Sequence, residues 1–391
     1  VSYRADPDLL LEIQKYGAAD IEACFNCGNC TAVCPLSTED EMFPRRVIRL
    51  AQLGVWKELL GSKELWTCYY CGECTATCPR EADPGEFMAA ARRYAIASYD
   101  RLGLAKVLYT SPVLSVIFLV LLAAFTALFM YTSHGSMPTD SLRLFEFIPA
   151  HIIHDLGIAG FVIVALAGIL GAVNMAIHIG RANGLSRDGV RLNWLGALWE
   201  TIAVEVLGQT RYRQECETEE ERPSWYLQKW FIHASMMWGF LGLFAATGLD
   251  WVLDIVGVKA TGTWVPIWYP VRLLGTVAGL FLLYGTSVAI VKRLRKADEP
   301  STHSFLSDWV FLVLLWISTV SGFALEISIY LPHAPVWGYW MLLFHVAVVA
   351  DLLLLAPFTK FAHVFYRTLA LYVHALKPVP PAELAAAASA D

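Results

Sequence analysis

The apolar positions of the chain gather into six long runs, roughly Leu108 to Tyr131, Phe147 to Ile179, Trp230 to Leu253, Trp268 to Val291, Trp309 to Tyr330 and Val336 to Phe361. Each is long enough to cross a bilayer core of ~30 Å as a helix. No such run precedes Leu108: Phe43 to Leu60 has apolar residues at helical spacing with few strand formers, and Glu86 to Tyr99 is Ala-rich. The pattern predicts an all-α protein with a polar helical head over residues 1–106, a six-helix transmembrane bundle over 107–377 and a flexible tail over 378–391. Pro149, Pro270 and Pro357 fall near span ends, where a helix tolerates them. Leu192 to Leu207 carries Leu192, Leu195, Leu198, Trp199, Ile202 and Val206 near one helical face. It reads as a helix lying on the membrane surface or packed under the head.

Composition agrees with that division. Of 391 residues 57% are hydrophobic and 16% charged, too apolar a balance for an ordinary soluble protein. The net charge of -6 argues against a nucleic-acid partner. Val1 to Tyr16 is acidic and lacks an apolar core, so no signal peptide is expected there. Lysine and arginine are strongly biased. Arg92, Arg93, Arg101 and Lys106 precede the first span, six arginines from Arg181 to Arg222 follow the second, Lys292 to Lys296 follow the fourth, and Lys360, Arg367 and Lys377 close the sixth. The alternate loops hold little beyond Arg143, Lys259 and Arg272. By the positive-inside rule the head and both termini are expected on the cytoplasmic side of a cytoplasmic membrane. Trp230, Trp251, Trp264, Trp268, Trp309 and Trp337 stand where interfacial anchors belong.

Eight of nine cysteines fall in two clusters within the head. Cys24, Cys27, Cys30 and Cys34 before Pro35 give C-x2-C-x2-C-x3-C-P, and Cys68, Cys71, Cys74 and Cys78 before Pro79 repeat it. This spacing holds a cubane iron–sulfur cluster. Three thiolates on one tight turn take three corners, and the fourth, carried off by the following helix, reaches the neighbouring cluster. One 4Fe-4S cluster is therefore expected on Cys24, Cys27, Cys30 and Cys78, the other on Cys68, Cys71, Cys74 and Cys34. Gly28 and Gly72 let the backbone approach the inorganic core. Zinc is the rival ligand, but zinc sites draw their cysteines as separated C-x2-C pairs. Cys216 carries no assigned role.

Intramembrane polar groups are costly and usually functional. His345 and His363 lie 18 residues apart on the stretch Val336 to Arg367, which as one helix would present them on one face about 27 Å apart. Topology places His233 at the depth of His363, and His151 and His154 at the depth of His345. Two b haems with bis-histidine ligation follow: an inner one on His233 and His363, an outer one on His345 and His154 (or His151). His178 is held in reserve, and His134, His303, His333 and His374 read as solvated. Gly157, Gly160, Gly168 and Gly171 would admit a porphyrin or a close helix contact. Asp351 and Glu326 are candidates for a proton path or for partners of Arg272 or the backbone.

The head resembles the helical ferredoxin modules of heterodisulfide reductase small subunits and of the fumarate reductase iron–sulfur protein. The segment FHVAVVADLLLLAPFTKFAHVFY, with His345 and His363, resembles the last helix of the nitrate reductase gamma-type cytochrome b family. WFIHASMMWGFLGLF, with His233, is similar to that family's other ligand helix, except that the second ligand position holds Leu243. The fusion as a whole resembles the family of C-type membrane subunits of the quinone-interacting membrane-bound oxidoreductase complex of sulfate reducers. In that family a part like the C-type subunit of heterodisulfide reductase is joined to a part like its E-type subunit. The resemblance implies a bacterial or archaeal membrane oxidoreductase component in which menaquinol is oxidised and electrons pass through two b haems and two 4Fe-4S clusters. The implied recipients are flavoprotein subunits related to the A-type subunit of heterodisulfide reductase and, finally, adenylylsulfate reductase. No Gly-rich dinucleotide fingerprint argues for a flavin on this chain itself. The rival readings are a quinone-linked heterodisulfide-type or sulfite-pathway reductase, working in either direction, and a zinc-binding membrane anchor with no redox role.

Overall fold

Pro357 divides what the apolar pattern runs together. Proline lacks the amide that a helix interior needs and its ring collides with the preceding turn. In the computed structural model the last span accordingly stops at Leu354, two short 3-10 turns follow at Ala356–Phe358 and Lys360–Ala362, and a new helix begins at His363. The expected single helix carrying both His345 and His363 is therefore corrected: the two histidines stand on different helices. The structure describes residues 4–38, 42–183, 193–213, 223–260, 262–297, 299–331 and 335–376. The tail beyond 376, His333, Leu192 and Cys216 lie outside them.

The described residues are helical throughout and contain no strand. The head ends in helix α1 (Pro84–Tyr99), started by Pro84 and by the Asp83 carboxylate, which accepts the Glu86 amide at 3.1 Å. A short α2 (Leu104–Thr110) ends where Pro112 opens the first span, α3 (Pro112–Tyr131). The remaining spans are α4 (Ala150–Ala182), α5 (Lys229–Ile255), α6 (Pro270–Leu294), α7 (Leu306–Tyr330) and α8 (Val336–Leu354), followed by α9 (His363–Ala375). Among the described residues six helices are thus long and apolar enough to cross a membrane. Large side chains on their outer faces, such as Val113, Phe161, Leu166 and Phe244, are exposed as lipid-facing residues are.

Helix α4, at 33 residues, is about 50 Å long and outruns a bilayer core. Its last turns hold the head: Asn174 donates to the Tyr99 carbonyl at 3.1 Å, Asn183 to the Gly61 carbonyl at 3.2 Å, and the His178 ring packs against Trp56 and Tyr99. His178 is therefore a docking residue. One apolar core runs from Leu9, Ile48, Leu65, Trp66 and Phe87 in the head into Met175 and Ile179 of α4 and Tyr366 of α9. Gly168 and Gly171 of α4 lie under Phe365 and Tyr366 of α9, so close helix packing, not room for a porphyrin, accounts for them. The inner loop helix appears as an α-helical Trp194–Trp199 continued by a π-helical Glu200–Leu207, packed along α9 beneath the head.

A buried ion cluster locks head to bundle. Arg93 of α1 lies 2.8 Å from Glu86 and 3.0 Å from Asp308, in the first turn of α7, and also donates to the Tyr16 carbonyl. Lys360 reaches the other oxygen of Asp308 at 2.7 Å, and Arg293 stands 3.9 Å away. Asp308 also accepts the Phe305 amide at 3.2 Å, at the positive end of the α7 dipole. His303, expected to be solvated, is 3.1 Å from Asp83 of the head. Replacing Asp308 by Asn strands buried Arg93 without half of its counter-charge, a loss of about 3–5 kcal/mol. Thermal unfolding and limited proteolysis of the head are expected to show this as a lowered transition and early cleavage, while Glu86 alone holds Arg93.

Candidate functional site

The two cysteine motifs fold alike. Gly28 and Gly72 have φ of 95° and 99° and each caps a short helix, Asn29–Ala32 or Glu73–Ala76. Only glycine takes that conformation without strain. Asn26 and Tyr70, at matching positions, also have positive φ. Tyr70 is held there by a 2.9 Å hydrogen bond from its hydroxyl to Glu86. The turns thus throw three thiols of each motif to one side.

The fourth thiol of the first motif faces the second motif. Burial pushes the Cys34 thiol up to about 11, and the thiols of Cys68 and Cys71 push it the same way. Cys30 is raised by burial and then by Cys24 and Cys27. Asn29 donates to the Thr77 carbonyl at 2.6 Å, which sets the Thr77–Cys78 backbone beside the first motif. Protonated thiols must lose their protons on binding iron, so cluster insertion releases protons. Among the described residues no three His, Cys, Asp or Glu side chains converge as one metal ion requires. The fit to polynuclear clusters rests on the motif spacing, the neighbouring thiols and the charges around them.

His233 and His363 face each other with ring centroids 6.4 Å apart. Two imidazoles flanking one metal at about 2 Å per bond have centroids about 6 Å apart, so the pair fits axial ligation. Nδ1 of His363 is 2.6 Å from the Lys360 carbonyl, which makes it the protonated nitrogen and leaves Nε2 as the free lone pair. Nδ1 of His233 is buried without a hydrogen-bond partner, a cost that a bound group would relieve. Phe311 edges the His363 ring at 6.5 Å, and Phe361 packs on both Phe240 and Phe311.

From this pair contacts lead back to the head. Tyr212 lies 5.2 Å from the His233 ring and 5.4 Å from Tyr69, the residue after Cys68. Arg367, one turn beyond His363, covers the Tyr69 ring at 4.6 Å and donates to the Cys68 carbonyl at 3.1 Å. Local sequence patterns missed Tyr69, Tyr212 and Arg367. Arg367 carried one signal, a cation four residues after a candidate ligand and so on the same helix face.

His345 lies in the far half of the bundle, its Nδ1 2.9 Å from the Ser321 hydroxyl of α7 and its ring against Gly322. Helix α4 meets α8 at more than one level: Gly160 stands against Leu354, and Ile152, Ile153 and Leu156 pack in one apolar cluster with Leu342 and Leu343. His151 is exposed, and among the described residues no ring contact joins it or His154 to His345. The structure brings the inner pair together and not the expected outer one. Glu326 accepts from Thr276 at 3.1 Å, and Arg272 donates to Tyr330 at 2.9 Å, so these two are not each other's partner. Asp351 is buried with Oδ1 unpartnered.

Comparison with known proteins follows these divisions. Residues 20–82 match the 4Fe-4S dicluster domain, and residues 103–383 match the family described as citrate utilization protein B. The chain belongs to the citrate utilization protein B family. This family member is also similar to the E subunit of dihydromethanophenazine:CoB–CoM heterodisulfide reductase. The Methanosarcina mazei protein is 30% identical over 156 residues, 37% of this chain and 58% of that relative. The Methanosarcina acetivorans protein is 25% identical over 156 residues, and the Methanosarcina barkeri protein 26% over 159, each covering 37% of this chain and 57% of the relative. The chain thus spans less than two thirds of the length of these relatives. No solved structure matches. Within the citrate utilization protein B family, this chain is a membrane iron–sulfur protein that joins a 4Fe-4S dicluster domain to membrane-length helices.

Replacing Cys34 by Ala is expected to remove the same cluster signal that Cys68→Ala removes, and Cys78→Ala the signal lost with Cys24→Ala. Bound iron falls by about half in each case, checked by electron paramagnetic resonance and iron analysis.

Proposed function

We propose that the protein is an electron relay between a membrane quinol and soluble acceptors. Menaquinol is oxidised in the membrane, and the electrons cross b haem and leave through the two 4Fe-4S clusters of the head. The recipients are flavoproteins related to the A-type subunit of heterodisulfide reductase, with adenylylsulfate reductase as terminal acceptor. The single observation that carries this reading is the facing pair His233–His363, set at axial-ligand spacing and joined by ring contacts to Tyr69 beside Cys68. The relatives' name pairs a reduced phenazine with a heterodisulfide, which supports a reduced carrier as donor. The charge bias of the loops supports a cytoplasmic head and cytoplasmic termini.

A b haem supplies one-electron transfer when bound. The residues of this chain hold and orient it. His233 and His363 offer nitrogen on two sides, and the Lys360 carbonyl fixes the tautomer and tilt of His363. Phe311 lies edge-on to the His363 ring, with Phe361 packed on it and on Phe240. For the outer haem His345 remains the proposed ligand, oriented by Ser321. His154, or His151, of α4 is its proposed partner by depth, the first turns of α4 sharing an apolar cluster with Leu342 and Leu343 of α8.

The reduced-minus-oxidised visible spectrum of the purified chain tests this. Sharp α bands of b haem are expected; a colourless protein, or one with iron–sulfur absorbance alone, sinks the relay. His233→Ala and His363→Ala are each expected to abolish the same haem component, His345→Ala a different one, and His154→Ala is expected to leave the inner component intact.

A further inference from the structure

Two guanidiniums converge on one backbone carbonyl. Arg92 donates to the Cys68 carbonyl at 3.0 Å and to that of Leu65 at 2.9 Å. Arg367 donates to the same Cys68 carbonyl at 3.1 Å and lies 3.5 Å from the Thr67 carbonyl. Neither makes an ion pair with a carboxylate among the described residues; of the buried acids there, Glu86 and Asp308 are taken by Arg93, Lys360 and Arg293, Asp83 is held by His303 and Thr75, and Glu64 accepts from Ser62. Two like charges side by side in a partly desolvated place are unfavourable unless an anion stands next to them. A cluster carrying four thiolates is such an anion, and Cys68 is one of its expected ligands.

The equivalent position in the first motif is built differently. The Cys24 carbonyl accepts a hydrogen bond from neutral Gln52 at 2.9 Å. The arginine that passes Gly28 there, Arg45, is exposed, where solvent and salt screen it. The residue after Cys24 is Phe25, 61% exposed, whereas its counterpart Tyr69 is packed toward His233 through Tyr212. Cys27 is exposed as well. One backbone scaffold is used twice, once facing the helical bundle with two part-buried positive charges and once facing solvent with an exposed one.

We propose that Arg92 and Arg367 make the cluster on Cys68, Cys71, Cys74 and Cys34 the more easily reduced of the two, and the one that exchanges electrons directly with the His233–His363 centre across Tyr212 and Tyr69. The cluster on Cys24, Cys27, Cys30 and Cys78 is then the exit, beside exposed Phe25 and Cys27. This rests on the relay reading above. The electron added to a cluster is a negative charge, and adjacent part-buried guanidiniums stabilise that reduced form. Arg367 also links the ligand helix α9 to Cys68, so the same residue sets distance and potential.

The test is a redox titration of the full-length, detergent-purified protein followed by electron paramagnetic resonance. At the wild-type midpoint of the more easily reduced cluster, Arg367→Gln is expected to lower the reduced-to-oxidised ratio about tenfold or more, with the other cluster unmoved. Arg92→Gln acts on the same signal and carries the test if Arg367→Gln fails to assemble. Arg367→Lys restores most of the ratio. Gln52→Leu leaves the more easily reduced signal unmoved. Ratios within twofold of wild type in both glutamine variants, or a change confined to the other cluster, overturn the proposal. Wild-type protein without b-haem bands instead removes the relay reading beneath it, while normal haem and clusters with unmoved potentials remove this inference alone.

Discussion

The geometry of the redox site depends on a carboxylate that does not touch it. Asp308 sits at the start of α7 and binds Arg93 of the head on one oxygen and Lys360 of the segment before α9 on the other. The cysteines belong to the head, His233 to α5 and His363 to α9, so no single element sets their separation. Asp308 ties two of those pieces, the head and the segment before α9, to α7, and the shared core of Trp66, Tyr99, Met175 and Tyr366 fills the space behind it. Buried ion pairs contribute little net stability against an apolar alternative, because desolvation offsets their attraction. Here the network matters for position: it chooses one docking of head on bundle among those that bury similar apolar area.

Much of the architecture was legible in the chain, and particular residues show why. The cysteine motifs are local, since spacing alone fixes the turn that a cluster needs, and the left-handed glycines follow from it. Six apolar runs gave six membrane-length helices because length is nearly all a bilayer demands. The error at the last span came from the same simplicity. The run through Pro357 is apolar on both sides, and hydropathy cannot tell a proline that ends a helix from one tolerated near its end. His178 illustrates the other failure. A histidine near the end of a long span is read by depth, but α4 outruns the membrane and the ring belongs to the head.

Depth matching paired His233 with His363, whose rings lie 6.4 Å apart, while among the described residues no ring contact joins His154 to His345. Depth along a helix is readable from sequence; the face turned toward a given neighbour is not, since it depends on which helices flank it. Contacts such as Tyr69 with Tyr212, or Arg367 with the Cys68 carbonyl, join residues more than a hundred positions apart and leave no periodic trace. What the chain does record is a duplication, in which two motifs share backbone conformations and differ in their neighbours.

The short irregular segment from Leu355 to Ala362 has a mechanical consequence. Lys360, which holds Asp308 with its side chain, offers its carbonyl to the His363 ring. One residue therefore reads the seating of the head and sets the tilt of the imidazole. A straight helix would have isolated these two duties; a hinge of 3-10 turns makes them move as one lever. The carboxylate that seats the head thus also holds the residue whose carbonyl orients the His363 ring, so the two share one anchor.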